Sequence, residues 1–293
     1  MAQIKVGDVN LEYDTFGERS ASPLLLIMGL GAQMIHWDEE FCQQLADKGH
    51  FVIRHDNRDV GLSTAFAGDF DMIALMADVM AGKKPDVPYT LDDMAADSAG
   101  LLDQLSIDKA HICGASMGGM IAQLVACNHP NKVLSLTSIM SSTGNPGLPK
   151  SSPEAQAALM VPRPDGEEET IARAIENAKV IGSKGFEFDA KRTANRAVEA
   201  FKRSFNPIGA ARQMAAIAAN GDRREKLNKL DLPCVVIHGT DDPLVSVEGG
   251  IDTHENIAGS RLVKIKGMGH DLPPGAWPQV IDAICSVTQG KTA

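Results

Sequence analysis

The chain has 293 residues, 44% hydrophobic and 23% charged, enough to bury one large α/β core or two small ones. Its formal net charge is -10 and it has no Lys/Arg-rich block, which argues against a surface built to displace counterions from nucleic acid or anionic membrane. The N-terminus, Met1 to Asp8, lacks the basic start and apolar run of a secretory signal, and no stretch approaches the ~18 uninterrupted apolar residues of a membrane helix.

An amphipathic start, Ile4 to Val6 and then Leu11 to Tyr13, predicts an antiparallel hairpin at a sheet edge. After it, short apolar runs recur, each ending in Gly, Asp or a small polar loop. They are Leu24 to Met28, Phe51 to His55, Ala110 to Cys113, Val133 to Met140, Cys234 to Ile237 and Arg261 to Ile265. Such runs alternating with helical segments predict βαβ units and a mostly parallel sheet buried on both faces. Thr90 followed by Asp92 and Asp93 predicts a helix start, with apolar positions continuing to Leu105. A second helix is predicted from Met117 to about Cys127, stopped by His129-Pro130.

Two regions break the alternation. Asp69 to Pro88 carries Met72, Met76 and Met80 at helical spacing, a stripe that suits either a pocket wall or a core face. Residues 145–230 open on clustered prolines and continue as helices such as Glu168 to Val180 and Asp189 to Phe205. An insertion of that size predicts a helical cap over a core made of residues 1–144 and 231–293, or else a bundle covering the sheet edge. The five cysteines (Cys42, Cys113, Cys127, Cys234, Cys285) are scattered, odd in number and form no C-x-x-C pair. Buried free thiols in a reducing, cytoplasmic setting are the expectation.

The strongest local signal is Gly114-Ala115-Ser116-Met117-Gly118, continued by Gly119, between a predicted strand and a predicted helix. A serine on a turn that tight is forced into strained torsions, and its hydroxyl projects beside a helix N-terminus that favours a developing anion. The segment resembles the nucleophile elbow of the α/β-hydrolase superfamily, and the likeness covers nearly the whole chain outside the cap. It implies an eight-stranded, mostly parallel sheet flanked by helices. Asp56 to Ser63 is similar to that superfamily's D-x-R-G-x-G-x-S loop, with Asp59 in place of the usual first glycine. Serine at position 116 disfavours dehalogenase and epoxide-hydrolase chemistry, whose members carry aspartate there.

In this fold the acid and then the histidine follow the serine. Of eight histidines, His270 alone lies on a loop after the last strand, in Gly267-Met268-Gly269-His270, which resembles the family's closing G-x-G-H. His238 and His111 read as packing residues, and His55 and His129 as polar ends of elements. The acid is Asp241 or Asp242, and the family's spacing after Gly239 favours Asp242; the loop Ser141 to Lys150, where some relatives place it, has no Asp or Glu. Met28-Gly29-Leu30-Gly31, with Trp37 further on, resembles the H-G-x…W oxyanion loop with methionine in place of histidine. The resemblance implies an oxyanion hole made of the N–H groups of Leu30 and Met117. Met28, Gly29, Met140 and Met268 fall at strand ends or loops around this site and predict an adaptable apolar pocket.

These readings imply a serine carboxylesterase for short- to medium-chain apolar esters, similar to small esterases and antibiotic methylesterases. Two same-fold alternatives are a carbon–carbon bond hydrolase, for which Arg163, Arg192 or Arg203 would be the basic cap residue, and a cofactor-free perhydrolase. A non-catalytic ligand-binding receptor is the alternative from another class. The sequence carries no H-E-x-x-H, Walker loop or dinucleotide fingerprint, so no metal or nucleotide cofactor is indicated. The expected partner is a small-molecule ester rather than nucleic acid or membrane, and monomer and homodimer both stay open.

Overall fold

A computed structural model of the chain describes residues 1–68, 81, 86–160, 164 and 166–289. Met72, Met76, Met80 and Arg163 lie outside the described residues. The hairpin forms as β1 (Ala2–Val6) and β2 (Val9–Phe16), followed by β3 (Ser22–Ile27), α1 (Glu39–Asp47) and β4 (His50–His55). Then come α2 (Leu91–Gln104), β5 (Ala110–Ala115), α3 (Met117–Asn128) and β6 (Val133–Ile139). Among the described residues, four helices and a short helical turn separate β6 from β7: α4 (Pro153–Met160), α5 (Glu167–Ile181), α6 (Ala190–Arg203), α7 (Pro207–Asn220) and the turn α8 (Arg224–Leu227). The chain closes through β7 (Cys234–Gly239), α9 (Val247–Glu255), β8 (Arg261–Ile265) and α10 (Trp277–Thr288).

The strands form one eight-stranded sheet in the order β1-β2-β4-β3-β5-β6-β7-β8. The pairings β1/β2 and β2/β4 are antiparallel and the rest are parallel. Alternation along each strand sends its apolar side chains to opposite faces. Leu25, Ile27 and Ile112 join the core under α2 and α3. Leu24, Leu26 and Cys113 join the opposite core with Trp37, Phe41 and Trp277. That double burial explains why the strands read as continuous apolar runs rather than as alternating ones.

After β3 the chain places β4 on one side and then crosses to β5 on the other, so the strand order reverses between β3 and β5. Ligand crevices of open α/β sheets form at such a reversal, outside the carboxyl ends of the strands. The register brings those ends level: Ile27 pairs with Gly114, Ala115 with Ile139, Ile139 with Ile237, and Gly239 with Ile265. Every loop singled out in the sequence therefore leaves the same edge of the sheet.

The helix starting at Thr90 has the predicted cap. Thr90 Oγ1 accepts from Asp93 N, and Asp93 Oδ2 accepts from Thr90 N at 2.7 Å. Helices α5 and α6 match the predicted spans within about two residues. Helix α7 has no counterpart in the sequence reading, yet it buries Arg212, Gln213, Ala215 and Ala216. Its buried face is partly polar, which hides it from a search for an apolar stripe. Among the described residues no helix is long and apolar enough to cross a membrane.

Candidate active site

Ser116 stands between β5 and α3 with φ 57 and ψ -122, a conformation that L-residues rarely adopt. Its neighbours make the turn possible. A Cβ at Gly114 would collide with the Gly118 carbonyl, and one at Gly118 with the Ile27 carbonyl. The turn is anchored by Ser116 N donating to Ile139 O at 2.9 Å and by Ser141 Oγ donating to Ser116 O at 2.8 Å. Strain at one serine is thus held by packing on both sides, and its hydroxyl sits at the sheet's carboxyl edge.

His270 Nε2 lies 2.9 Å from Ser116 Oγ, and its Nδ1 lies 2.7 Å from Asp242 Oδ2. The geometry brings together the three residues predicted as nucleophile, base and acid. Asp241 points elsewhere: it is exposed and its Oδ1 accepts from Thr240 Oγ1. Asp242 Oδ1 also accepts from the N–H groups of Leu244 and Val245, each at 2.9 Å. Burial pushes the Asp242 carboxyl up, but the charges and hydrogen bonds of His270 and His238 outweigh it and hold the group well below the usual carboxylate range. Asp242 therefore stays charged and orients the His270 ring.

His238 was read as packing, and the structure gives it a contact at the site as well. It is fully buried, its Nε2 lies 2.8 Å from Val245 O, and the same atom is 3.5 Å from Asp242 Oδ2. Its Nδ1 is buried without a partner. The available signal was position: His238 is the penultimate residue of β7, four residues before Asp242, and its backbone register says nothing about where the ring tip goes.

The loop after β3 runs against the serine. A Cβ on Gly29 would stand 3.1 Å from Ser116 Cβ and 3.2 Å from Ala115 O, a tight fit against the serine turn. Among the described residues no hydrogen bond uses the N–H of Leu30 or that of Met117, the first residue of α3. Met28, Met140 and Met268 are all buried in the core cluster that contains Trp37 and Trp277, and Met268 has no exposed surface. Met140 takes a left-handed φ of 41, so the turn after β6 is tight as well.

Helices α5 to α7 reach this edge through polar contacts. His270 N donates to Ile181 O at 2.7 Å, and Gly269 N donates to Ser183 Oγ at 2.8 Å. Asp59, which replaces the usual glycine, has φ 70 and forms a two-pronged ion pair with Arg212: Nε to Oδ2 at 2.8 Å, Nη2 to Oδ1 at 2.9 Å. Tyr89 also donates to Asp59, at 2.7 Å. Arg203 donates to Asp56 and Gln33, each of Arg192 and Arg196 pairs with Asp38, and Arg192 also covers the Trp277 ring. Arg192 and Arg203, considered as substrate-facing cations, are thus committed to Asp38 and Asp56.

All five cysteines are free; Cys42, Cys113 and Cys234 are buried, and burial pushes Cys42 and Cys234 up to about 12. Among the described residues no cluster of three or more His, Cys, Asp or Glu is arranged to hold a metal ion.

A strained serine in reach of a histidine–aspartate pair, at the strand-order reversal of a mostly parallel sheet, defines the class. The chain belongs to the α/β hydrolase fold family, whose model matches residues 22–273. It is 28% identical to the rhodomycin D methylesterase of Streptomyces sp. (strain C5) over 97% of both chains. It is 29% identical to the rhodomycin D methylesterase of Streptomyces peucetius, again over 97% of both. Among solved structures, the enol-lactonase from Burkholderia xenovorans LB400 superposes with a TM-score of 0.74, covering 98% of this chain and 100% of that one at 23% identity.

Proposed function

We propose that the protein is a serine carboxylesterase that cleaves small-molecule esters through an acyl-enzyme intermediate. The observation that carries this reading is the continuous chain from Ser116 Oγ to His270 Nε2 and from His270 Nδ1 to Asp242 Oδ2, at 2.9 and 2.7 Å. Ser116 Oγ attacks the ester carbonyl carbon while His270 Nε2 takes the hydroxyl proton. The carbonyl oxygen becomes an oxyanion, and the N–H groups of Leu30 and Met117 donate to it. Collapse breaks the acyl–oxygen bond, and the leaving alcohol takes the proton from His270. Water then repeats the sequence on the acyl-enzyme and releases the acid, restoring Ser116. Asp242 keeps Nδ1 of His270 protonated and steadies the imidazolium formed in each half.

Short- to medium-chain apolar esters are the substrate class we assign. A cavity of about 440 Å³ with Leu148, Leu159, Met214, Leu244 and Val245 in its wall lies beside the Asp242 loop and is not itself the reacting site. Ser116 does not line that cavity. Met28, Gly29 and Met140 supply the apolar surroundings of the reacting carbonyl in this reading, while Met268, expected in the pocket, is wholly buried in the core cluster. The likeness to two methylesterases supports a small alcohol part. Residues 145–230 act as the cap over a core of residues 1–144 and 231–293. Labelling with a fluorophosphonate tests the assignment: one adduct, on Ser116 and absent from Ser116→Ala, is expected, and labelling elsewhere or none would refute it.

A further inference from the structure

The oxyanion loop, Gly29-Leu30-Gly31, has glycine on both sides of its proposed donor. A Cβ on Gly29 would press on Ser116 Cβ and Ala115 O, and Gly31 sits at φ 61. Two glycines leave the intervening peptides wide rotational freedom, so the aim of the Leu30 N–H must be fixed by contacts rather than by local sterics. The core supplies some of them: Asn57 Nδ2 donates to Met28 O at 2.9 Å, and Met34 N donates to Asp56 Oδ1 at 2.7 Å. Both lie outside the glycine pair, and Ala32 N donates to Gly29 O at 3.2 Å, closing a turn around Leu30 and Gly31. Within it, Gly31 N donates to Gln213 Oε1 at 2.7 Å.

Gln213 belongs to α7, 182 residues further along the chain, and is completely buried. Its other end is also engaged, with Nε2 donating to Arg58 O at 2.8 Å. The side chain therefore bridges two core loops and cannot swing away without breaking both bonds. The preceding residue, Arg212, is locked onto Asp59 by the two-pronged ion pair, which sets the rotation of α7 and so the direction in which Gln213 points.

We infer that Gln213 is a positioning residue for the oxyanion hole: by holding the Gly31 N–H from the cap side, it fixes the Leu30–Gly31 peptide and with it the turn whose first peptide, Gly29–Leu30, presents the Leu30 N–H to the developing oxyanion. The inference rests on the serine-esterase reading. A misaimed donor weakens binding of the transition state more than of the ester itself, so the loss should fall on kcat.

The test uses Gln213→Met, which keeps length and loses both hydrogen bonds, and Gln213→Asn, which stays polar and falls one methylene short. Rates are normalised to sites titrated with fluorophosphonate, so that misfolded protein does not count. Expected for each is a loss of about tenfold in kcat, a fraction of what removing a whole oxyanion donor costs. KM should stay within about twofold, and affinity for an alkyl boronic acid, whose serine adduct carries the same tetrahedral oxygen, should fall in step with kcat. Should Gln213→Met not fold, Gln213→Asn carries the same expectation. Titrated sites with wild-type kcat and boronate affinity, whatever the melting temperature, would overturn the proposal. Ser116→Ala run in parallel separates the two levels: if it retains activity, the serine-esterase reading itself has failed.

Discussion

His238 and His270 reach the same oxygen of Asp242, one at 3.5 Å through Nε2 and the other at 2.7 Å through Nδ1. Only His270 also reaches Ser116, so the two rings have different standing. His238 supports the carboxylate from the core side, where its ring is wholly buried. Replacing it with leucine keeps most of the volume and removes that support. We expect kcat to fall by about two- to tenfold, the worth of one modest hydrogen bond. An unchanged kcat in a folded His238→Leu variant would reduce this contact to packing.

Asp242 and its neighbour Asp241 separate cleanly. Asp242→Asn keeps the shape but can present an N–H to His270 Nδ1, forcing the wrong tautomer. A loss of about 10³- to 10⁴-fold in kcat is expected. Asp241→Asn, on an exposed side chain, should stay within about twofold of wild type. Steady-state kinetics on both variants checks the assignment, and the reverse ranking would transfer the role to Asp241.

The Asp59–Arg212 pair is buried on both sides, with side-chain exposures of 0% and 4%. Burial raises the Asp59 carboxyl, yet its bonds from Arg212, Tyr89 and the Phe66 N–H hold it below the usual range. Arg212→Met strands the carboxylate, at a cost of about 3–5 kcal/mol and a Tm lower by roughly 10 °C. The double variant Asp59→Gly/Arg212→Met removes both charges and the left-handed strain at position 59. Calorimetry should show it recovering most of the loss. A double variant as unstable as the single one would mean that the helix contacts, not the charges, set the cost.

Two buried histidines make acid stability predictable in sign. Burial lowers His55 to about 4; burial, and secondarily the charge of His50, lower His111 to about 4, both from an ordinary 6.5. Between those values the unfolded chain binds protons that the folded chain refuses. Stability is therefore full above pH 6.5, falls as the pH drops through that window, and flattens below about 4 for these two groups. Tm measured from pH 7.5 downward should decline more steeply in wild type than in His55→Gln/His111→Gln. Parallel curves would show that the burial of these rings is not what titrates.

The parallel sheet was legible because double burial turns strands into apolar runs, and the Ser116 turn because only glycine fits beside it. His270 was singled out by its place after the last strand and Asp242 over Asp241 by the family's spacing after Gly239, and the structure links both side chains to Ser116, Asp242 through His270. What stayed hidden is polar and long-range. Gln213, Arg212 and Ser183 contact residues more than 80 positions away. A side chain that crosses from one layer to another leaves no periodic trace in its own segment. Asp59 was noticed only as a departure from a motif, and its meaning needed the partner that α7 brings.

The most direct test of the central claim is hydrolysis of p-nitrophenyl esters from acetate to palmitate by wild type and by Ser116→Ala. The account predicts turnover of the short and medium esters by wild type, a decline toward palmitate, and only background hydrolysis by the variant. Wild-type protein inactive on every ester, or a Ser116→Ala variant as active as wild type, would contradict it.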